Sequence, residues 1–276
     1  MKKLIILFLL VKATHLEAQY FYNDIIGTGE TTNLMKFYLD NKIKKVTSNG
    51  FEAQGLPAKN YKEEQEVNET GMQLKISTFN DLRKSTITYS FDKSGRLIGS
   101  VDISNGIKSA TDYTYNNEGK IILIINSIVD SLQDFNQTEI HQWLYKNGSP
   151  EKMWRIINKS DTLEVWFKPD ENGNVIEEQN SKKGKGTDPI YYYYDEKNRL
   201  TDIVRFNNKV KKLLPDFLFE YDESNRVIQK ITTTSNNNMG YLTWRYLYNE
   251  KGLKTKEALF NKEKKLQGRI EYTYIY

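Results

Sequence analysis

Once residues 1–18 are set aside as a leader, a single histidine is left for proton chemistry: His141, in the alternating segment Glu139-Ile140-His141-Gln142-Trp143. One imidazole cannot assemble a multi-histidine metal site, and the chain has no Gly-x-Ser-x-Gly elbow to present a serine nucleophile. His141 therefore reads as a strand-surface residue. No glycine-rich phosphate loop stands between a strand and a helix. Asp170-Glu171-Asn172-Gly173-Asn174 offers oxygens without the ligand spacing or closing glutamate of a calcium loop, so it reads as a turn. Cysteine is absent, which removes thiolate chemistry, disulfides and a lipidated N-terminal cysteine. The sequence thus implies no catalytic residue, no metal and no cofactor. The enzymatic alternative is a glycan-degrading hydrolase using a carboxylate pair, for which the acidic residues supply many partners and no specific one.

The aromatic residues are the stronger candidates for contact with a ligand. Trp143, Trp166, Trp244 and the run Tyr191, Tyr192, Tyr193 and Tyr194 have flat faces and polar tips that can stack on sugar rings or on partner side chains. Because side chains alternate along a strand, two of the four tyrosines must face away from whichever side is buried. The basic residues Arg96, Lys120, Arg199 and Arg226 could form a ladder for anionic glycans, although as turn flanks they are more simply solvated or paired with acids.

The chain has 276 residues, with 19 Tyr and 12 Phe against 5 Met, a bias toward pleated surfaces over helix interiors. Lys2 and Lys3, the apolar run from Leu4 to Val11 and a polar stretch ending in Ala18 make residues 1–18 an expected signal peptide. Its removal takes away three lysines and one glutamate and leaves a net charge of +2, which is no footprint for nucleic acid. No other segment approaches the length needed to span a bilayer as a helix. The expected location is the periplasm, the cell surface or the extracellular space.

A repeat organises the rest of the chain. Its core is aromatic, any residue, aromatic, Asp or Asn, two polar residues, Gly or Asn, a basic residue and an aliphatic one, clearest in segments 89–97, 113–121, 192–200 and 219–227. The second aromatic recurs at positions 91, 115, 145, 167, 194, 221 and 248. Aromatics two apart share one face of a strand. Asp92, Asn116, Asp195 and Asp222 open turns, while Gly95, Gly119, Asn198, Asn225 and Gly252 occupy the slot that needs positive φ. Each unit is therefore a β-hairpin, and these turn residues are structural.

The units in which Tyr194-Asp195, Tyr221-Asp222 and Phe91-Asp92 precede a Gly-or-Asn, Arg, aliphatic step resemble the RHS or YD repeat family over about residues 87–265. That resemblance implies long curling β-sheets in exported or surface proteins, here of Bacteroidetes type, often described as carbohydrate-binding. The expected fold is all-β: an antiparallel meander of about seven hairpins in one large curled sheet, with a short helix near Thr31 to Asp40. The expected organisation is a signal peptide at 1–18, an N-terminal cap and first strands at 19–80, and the repeat domain at 81–276. The expected function is non-catalytic binding or scaffolding at the cell envelope, with a glycan or an envelope protein as partner.

Overall fold

A computed structural model describes residues 20–80, 83–130, 133–182, 184–208, 210–233 and 240–276; the expected signal peptide lies outside them. One helix, α1 (Asn23–Asp40), precedes the strands. These are β1 (Lys45–Glu52), β2 (Pro57–Val67), β3 (Gln73–Asn80), β4 (Arg83–Phe91), β5 (Leu97–Ser104), β6 (Ile107–Tyr115), β7 (Ile121–Asp130), β8 (Phe135–Lys146), β9 (Ser149–Ile157) and β10 (Asp161–Pro169). They continue with β11 (Val175–Lys182), β12 (Lys185–Gly186), β13 (Ile190–Tyr194), β14 (Leu200–Asn207), β15 (Lys212–Tyr221), β16 (Val227–Thr233), β17 (Tyr241–Tyr248), β18 (Lys254–Phe260) and β19 (Leu266–Ile275).

The sheet does not stay open. β19 pairs with β18 on one side and, from Lys45↔Ile275 to Glu52↔Gly268, with β1 on the other. β12 pairs only with β11, which also pairs directly with β13, so the result is a closed antiparallel barrel of 18 strands plus one helix. This corrects the expected curled sheet of about seven hairpins. An open sheet of such length would leave two rows of unpaired backbone groups, and closure removes both. The helix is also longer than expected, starting at Asn23 rather than near Thr31.

The turn chemistry accounts for the repeat. Asp92 Oδ1 accepts the N–H groups of Ser94 and Arg96, and Asp195 and Asp222 make the same pair of bonds two and four residues on. Asn116 and Asn249 do so as amides. Gly95, Gly119, Asn198, Asn225 and Gly252 all have positive φ, between 58° and 82°. The tyrosines then tie one unit to the next. Tyr115 donates to the carbonyl of Leu97 (2.5 Å), Tyr194 to Val175 (2.9 Å), Tyr221 to Leu200 (2.7 Å), Tyr248 to Val227 (2.7 Å) and Tyr274 to Lys254 (2.7 Å). In each case the acceptor opens, or nearly opens, the strand after the preceding turn.

Antiparallel order places these turns at one rim, and α1 lies inside the barrel near that rim. Its C-terminal half brings Leu39 beside Gly71 and Phe37 beside Gly252, while the Tyr38 hydroxyl donates to Gln65 on β2 (2.6 Å). Toward its start, Asp24 meets His141 on β8 and the preceding Tyr20 meets Asp216 on β15. A helix touched from so many directions needs no single apolar stripe, and this one carries two glycines and three threonines in no amphipathic order. Two dry clusters hold it. One gathers Phe21 with Trp143, Met153, Val165, Val175 and Tyr192; the other gathers Met35 and Tyr38 with Val46, Leu74, Phe91, Leu97 and Leu253. Each large side chain buried there contributes about 1.5–3 kcal/mol.

Candidate functional site

Directly opposed residues on paired strands share a face, so the register sorts the side chains into lumen and outer wall. The outer wall carries charge, at the opening of β1 and within β9, β10, β18 and β19. Lys45 lies 3.0 Å from both Glu64 and Glu66, Lys256 lies 3.2 Å from Glu271, and Lys152 lies 2.7 Å from Glu164. Such surface pairs contribute little stability, and the same wall also exposes Leu144, Trp166, Tyr193 and Leu247. A lipid-facing barrel presents an apolar band on that wall.

The candidate aromatics separate accordingly. Trp143 is buried in the core and stacks on Phe167 at 4.9 Å. Tyr192 is buried and donates to Glu178 (2.7 Å), and Tyr194 points inward to Val175. Tyr191 and Tyr193 face outward, Tyr193 being 48% exposed. Trp166, 45% exposed, is also on the outer wall, where the Lys152 ammonium lies 4.4 Å from its ring and 4.5 Å from Trp154. Trp244 faces the lumen opposite Lys230. The residues singled out from sequence thus do not form one site. The basic ladder is absorbed into the repeat: Arg96, Arg199 and Arg226 bond the aspartate of their own turn and lie over Tyr115, Tyr221 and Tyr248.

His141 is a correction. It is buried on the lumen face, with Nδ1 2.6 Å from Asp24 and Nε2 2.8 Å from Glu139, which also takes two hydrogen bonds from Arg155. Burial pulls the imidazolium down, but Asp24 and then Glu139 outweigh it and raise the group to about 9. Burial likewise works against the Glu139 carboxylate, and His141 and Arg155 bring it down to about 2. Beside this chain, fully buried Glu178 accepts the N–H groups of Phe21 and Tyr22 (3.0 Å each) at the start of α1. Burial lifts its carboxyl to about 7 against those bonds and that of Tyr192. Both charge sets latch the helix to the wall.

The opposite side of the lumen is different. No residue of β15, β16 or β17 is buried, although Phe217, Phe219, Lys230, Trp244 and Tyr246 all face inward. Across from them Glu30 on α1 is exposed. The crevice between the helix and this aromatic wall is therefore only partly filled, with Tyr20 meeting Phe217 edge-on at 5.7 Å. Phe217 and Phe219 stack at 6.3 Å, and the Lys230 ammonium sits 4.9 and 5.5 Å from their ring centres. Burial pulls Lys230 below its ordinary pKa, with Glu30 opposing and Lys254 assisting. The enclosing walls raise Glu30, and Lys230 opposes that. Lys254 reaches Glu257 (3.2 Å) and lies over Tyr246 at 4.8 Å. Sequence reasoning missed Glu30, Lys230, Phe217 and Tyr246. Counting alternation back from Tyr221 would have placed the two phenylalanines, and across the hairpin the lysine, on the tyrosine-lined face.

No family model matches the chain, and no curated protein matches it. Among solved structures it is similar to a porin-like protein from Bacteroides uniformis, at 12% identity over 84% of this chain and 98% of that one, with a TM-score of 0.44. It is also similar to a porin-like protein from Bacteroides vulgatus (13% identity, 84% and 98% covered, TM-score 0.29). A third similarity is to the Photorhabdus luminescens Tc holotoxin pore (14% identity, TM-score 0.35), in which 78% of this chain spans 12% of the toxin chain. All three fall short of a shared fold.

Proposed function

We propose that the protein is an exported, non-catalytic barrel of the cell envelope that binds carbohydrate in the crevice between α1 and β15–β17. The observation that carries this reading is the lumen face of those strands, where aromatic side chains point into the barrel and yet keep contact with solvent. Flat rings with nearby polar tips are the surfaces on which sugars stack. Most lumen carboxylates already have structural partners: Glu139 holds His141 and Arg155, Glu178 holds the helix start, Glu257 holds Lys254 and Glu63 accepts from Gln65 and Thr78, so Glu30 in the crevice has no second unpartnered carboxylate beside it among the described residues. That favours binding over hydrolysis by a carboxylate pair. The charged outer wall favours a water-facing barrel over a membrane channel.

A second reading places the glycan or an envelope protein on the outer wall, favoured by the exposure of Trp166 and Tyr193. A glycan array probed with residues 19–276 and with two variants separates the two. Tyr246→Ala should abolish binding, while Trp166→Ala/Tyr193→Ala should leave it intact. The opposite outcome would move the site outside, and an array with no signal would refute carbohydrate binding.

A further inference from the structure

We propose that the outer wall carries a binding site for a small aromatic carboxylate, separate from the lumen crevice, where β2 bows away from β1. The two strands pair at Asn49↔Lys62 and next at Phe51↔Pro57, so four residues of β2 stand against the single Gly50 of β1. A bulge of this kind bends its strand and re-aims the side chains around it. Ala58 and Tyr61 fold so closely over Gly50 that a Cβ added there would lie 3.1 Å from Tyr61 and 3.2 Å from Ala58. Beside the bow the wall opens into a cavity of about 500 Å³, within the usual range for a small-molecule site.

The lining decides what fits. Phe51, Tyr61 and Phe79 supply three rings, and the only charged lining residues are Lys59 and Lys62. Phe51 and Phe79 belong to the outer face, opposite Arg269 and Lys62, and further cations lie over them: Arg269 is 4.7 Å from the Phe51 ring and Lys84 is 5.4 Å from that of Phe79. Two of these cations are already neutralised, since Lys62 lies 2.6 Å from Glu64 and Arg269 2.9 Å from Glu271. Lys59 is exposed and has no carboxylate partner among the described residues. An ammonium can only donate, so a ligand carboxylate completes it, and the attached ring packs against the phenylalanines. An aromatic cation would meet like charge here, and a neutral ring would leave Lys59 unused. The lining has no carboxylate to take protons from sugar hydroxyls, which favours a flat aromatic ring over a uronate.

Saturation-transfer NMR on residues 19–276 with benzoate, with benzyl alcohol as its uncharged analogue and with glucuronate as an acid lacking the aromatic ring tests this. Benzoate should bind, and the other two should bind about five-fold more weakly. Lys59→Met should weaken benzoate by about five-fold, the upper end for an exposed charge pair, and bring it level with benzyl alcohol. Phe79→Ala should weaken both ring compounds, and Tyr246→Ala, which strikes the lumen crevice, should change neither. Melting temperatures equal to the parent's confirm that the variants fold; were Phe79→Ala to unfold, the comparison of Lys59→Met with benzyl alcohol decides alone. Equal affinity for benzoate and benzyl alcohol, glucuronate as tight as benzoate, or full benzoate affinity in Lys59→Met would overturn the inference. So would loss of benzoate in Tyr246→Ala, or no transfer to either ring compound. In each case carbohydrate binding in the crevice is untouched, because the glycan array tests it with different variants.

Discussion

Replacing Glu178 with alanine should release the helix from the barrel wall. The carboxylate is 0% exposed and is the shared acceptor for the N–H groups of Phe21 and Tyr22 and the hydroxyl of Tyr192. Removing it strands three donors in a dry interior at roughly 1–3 kcal/mol each, so that, allowing for relaxation, the loss should be about 3–6 kcal/mol. For a chain of this size that corresponds to a fall in melting temperature of roughly 6–20 °C. Glu178→Gln keeps the shape and one carbonyl acceptor, and should cost about 1–2 kcal/mol. The pH dependence gives an independent check. A carboxyl held at about 7 in the folded chain, against an ordinary 4.5, keeps its proton to higher pH than the unfolded chain does. Its contribution to stability is therefore greatest below pH 4.5 and declines as pH rises to 7, by about 3 kcal/mol over the interval. Glu178→Gln cannot ionise and should flatten that decline. Urea titrations followed by circular dichroism between pH 4.5 and 7.5 measure both effects. An alanine variant as stable as the parent, or a glutamine variant with an unchanged pH slope, would refute the latch.

At the turns, Asn198 and Asn225 hold φ of 58° and 63°, so glycine there should be neutral or slightly stabilising, whereas valine should cost about 1–2 kcal/mol by thermal melting. Equal tolerance of both replacements would contradict the turn geometry. Deleting residues 269–276 should remove most of the strand that pairs with both β18 and β1, and the truncated chain should aggregate in light scattering rather than melt cooperatively.

The hairpins were legible because their determinants are local. An Asp or Asn side chain bonding its own backbone two and four residues on, followed by a positive-φ glycine or asparagine, leaves a mark within one turn. Closure was not legible, because nothing in Arg269 to Tyr276 states that a second partner, β1, lies more than 200 positions earlier; the same alternating tyrosines would serve an open edge. The helix was half legible for a related reason. Enclosed by the barrel, it needs no 3.6-residue apolar period, and its leading turn takes its acceptor from Glu178, more than 150 residues away in sequence. Trp143 and Trp166 show the limit on the site. Both lie on regular strands with similar neighbours, and only the register of the closed barrel sends one into the core and the other to water.

Every feature assigned to the lumen requires that the first and last strands meet, and the absence of native cysteine makes that contact directly measurable. Thr47 and Thr273 are opposed on the outer wall across the closing pair of strands, where Cα atoms lie about 4.5–5.5 Å apart, within the span of a disulfide. Thr47→Cys/Thr273→Cys should form an intramolecular disulfide essentially completely on mild oxidation, seen as loss of both free thiols and a reducible shift in gel mobility, while Thr47→Cys/Thr162→Cys, with its second cysteine on β10, should not. Two thiols that stay free in the first variant, or that link only between molecules, would contradict the closed barrel.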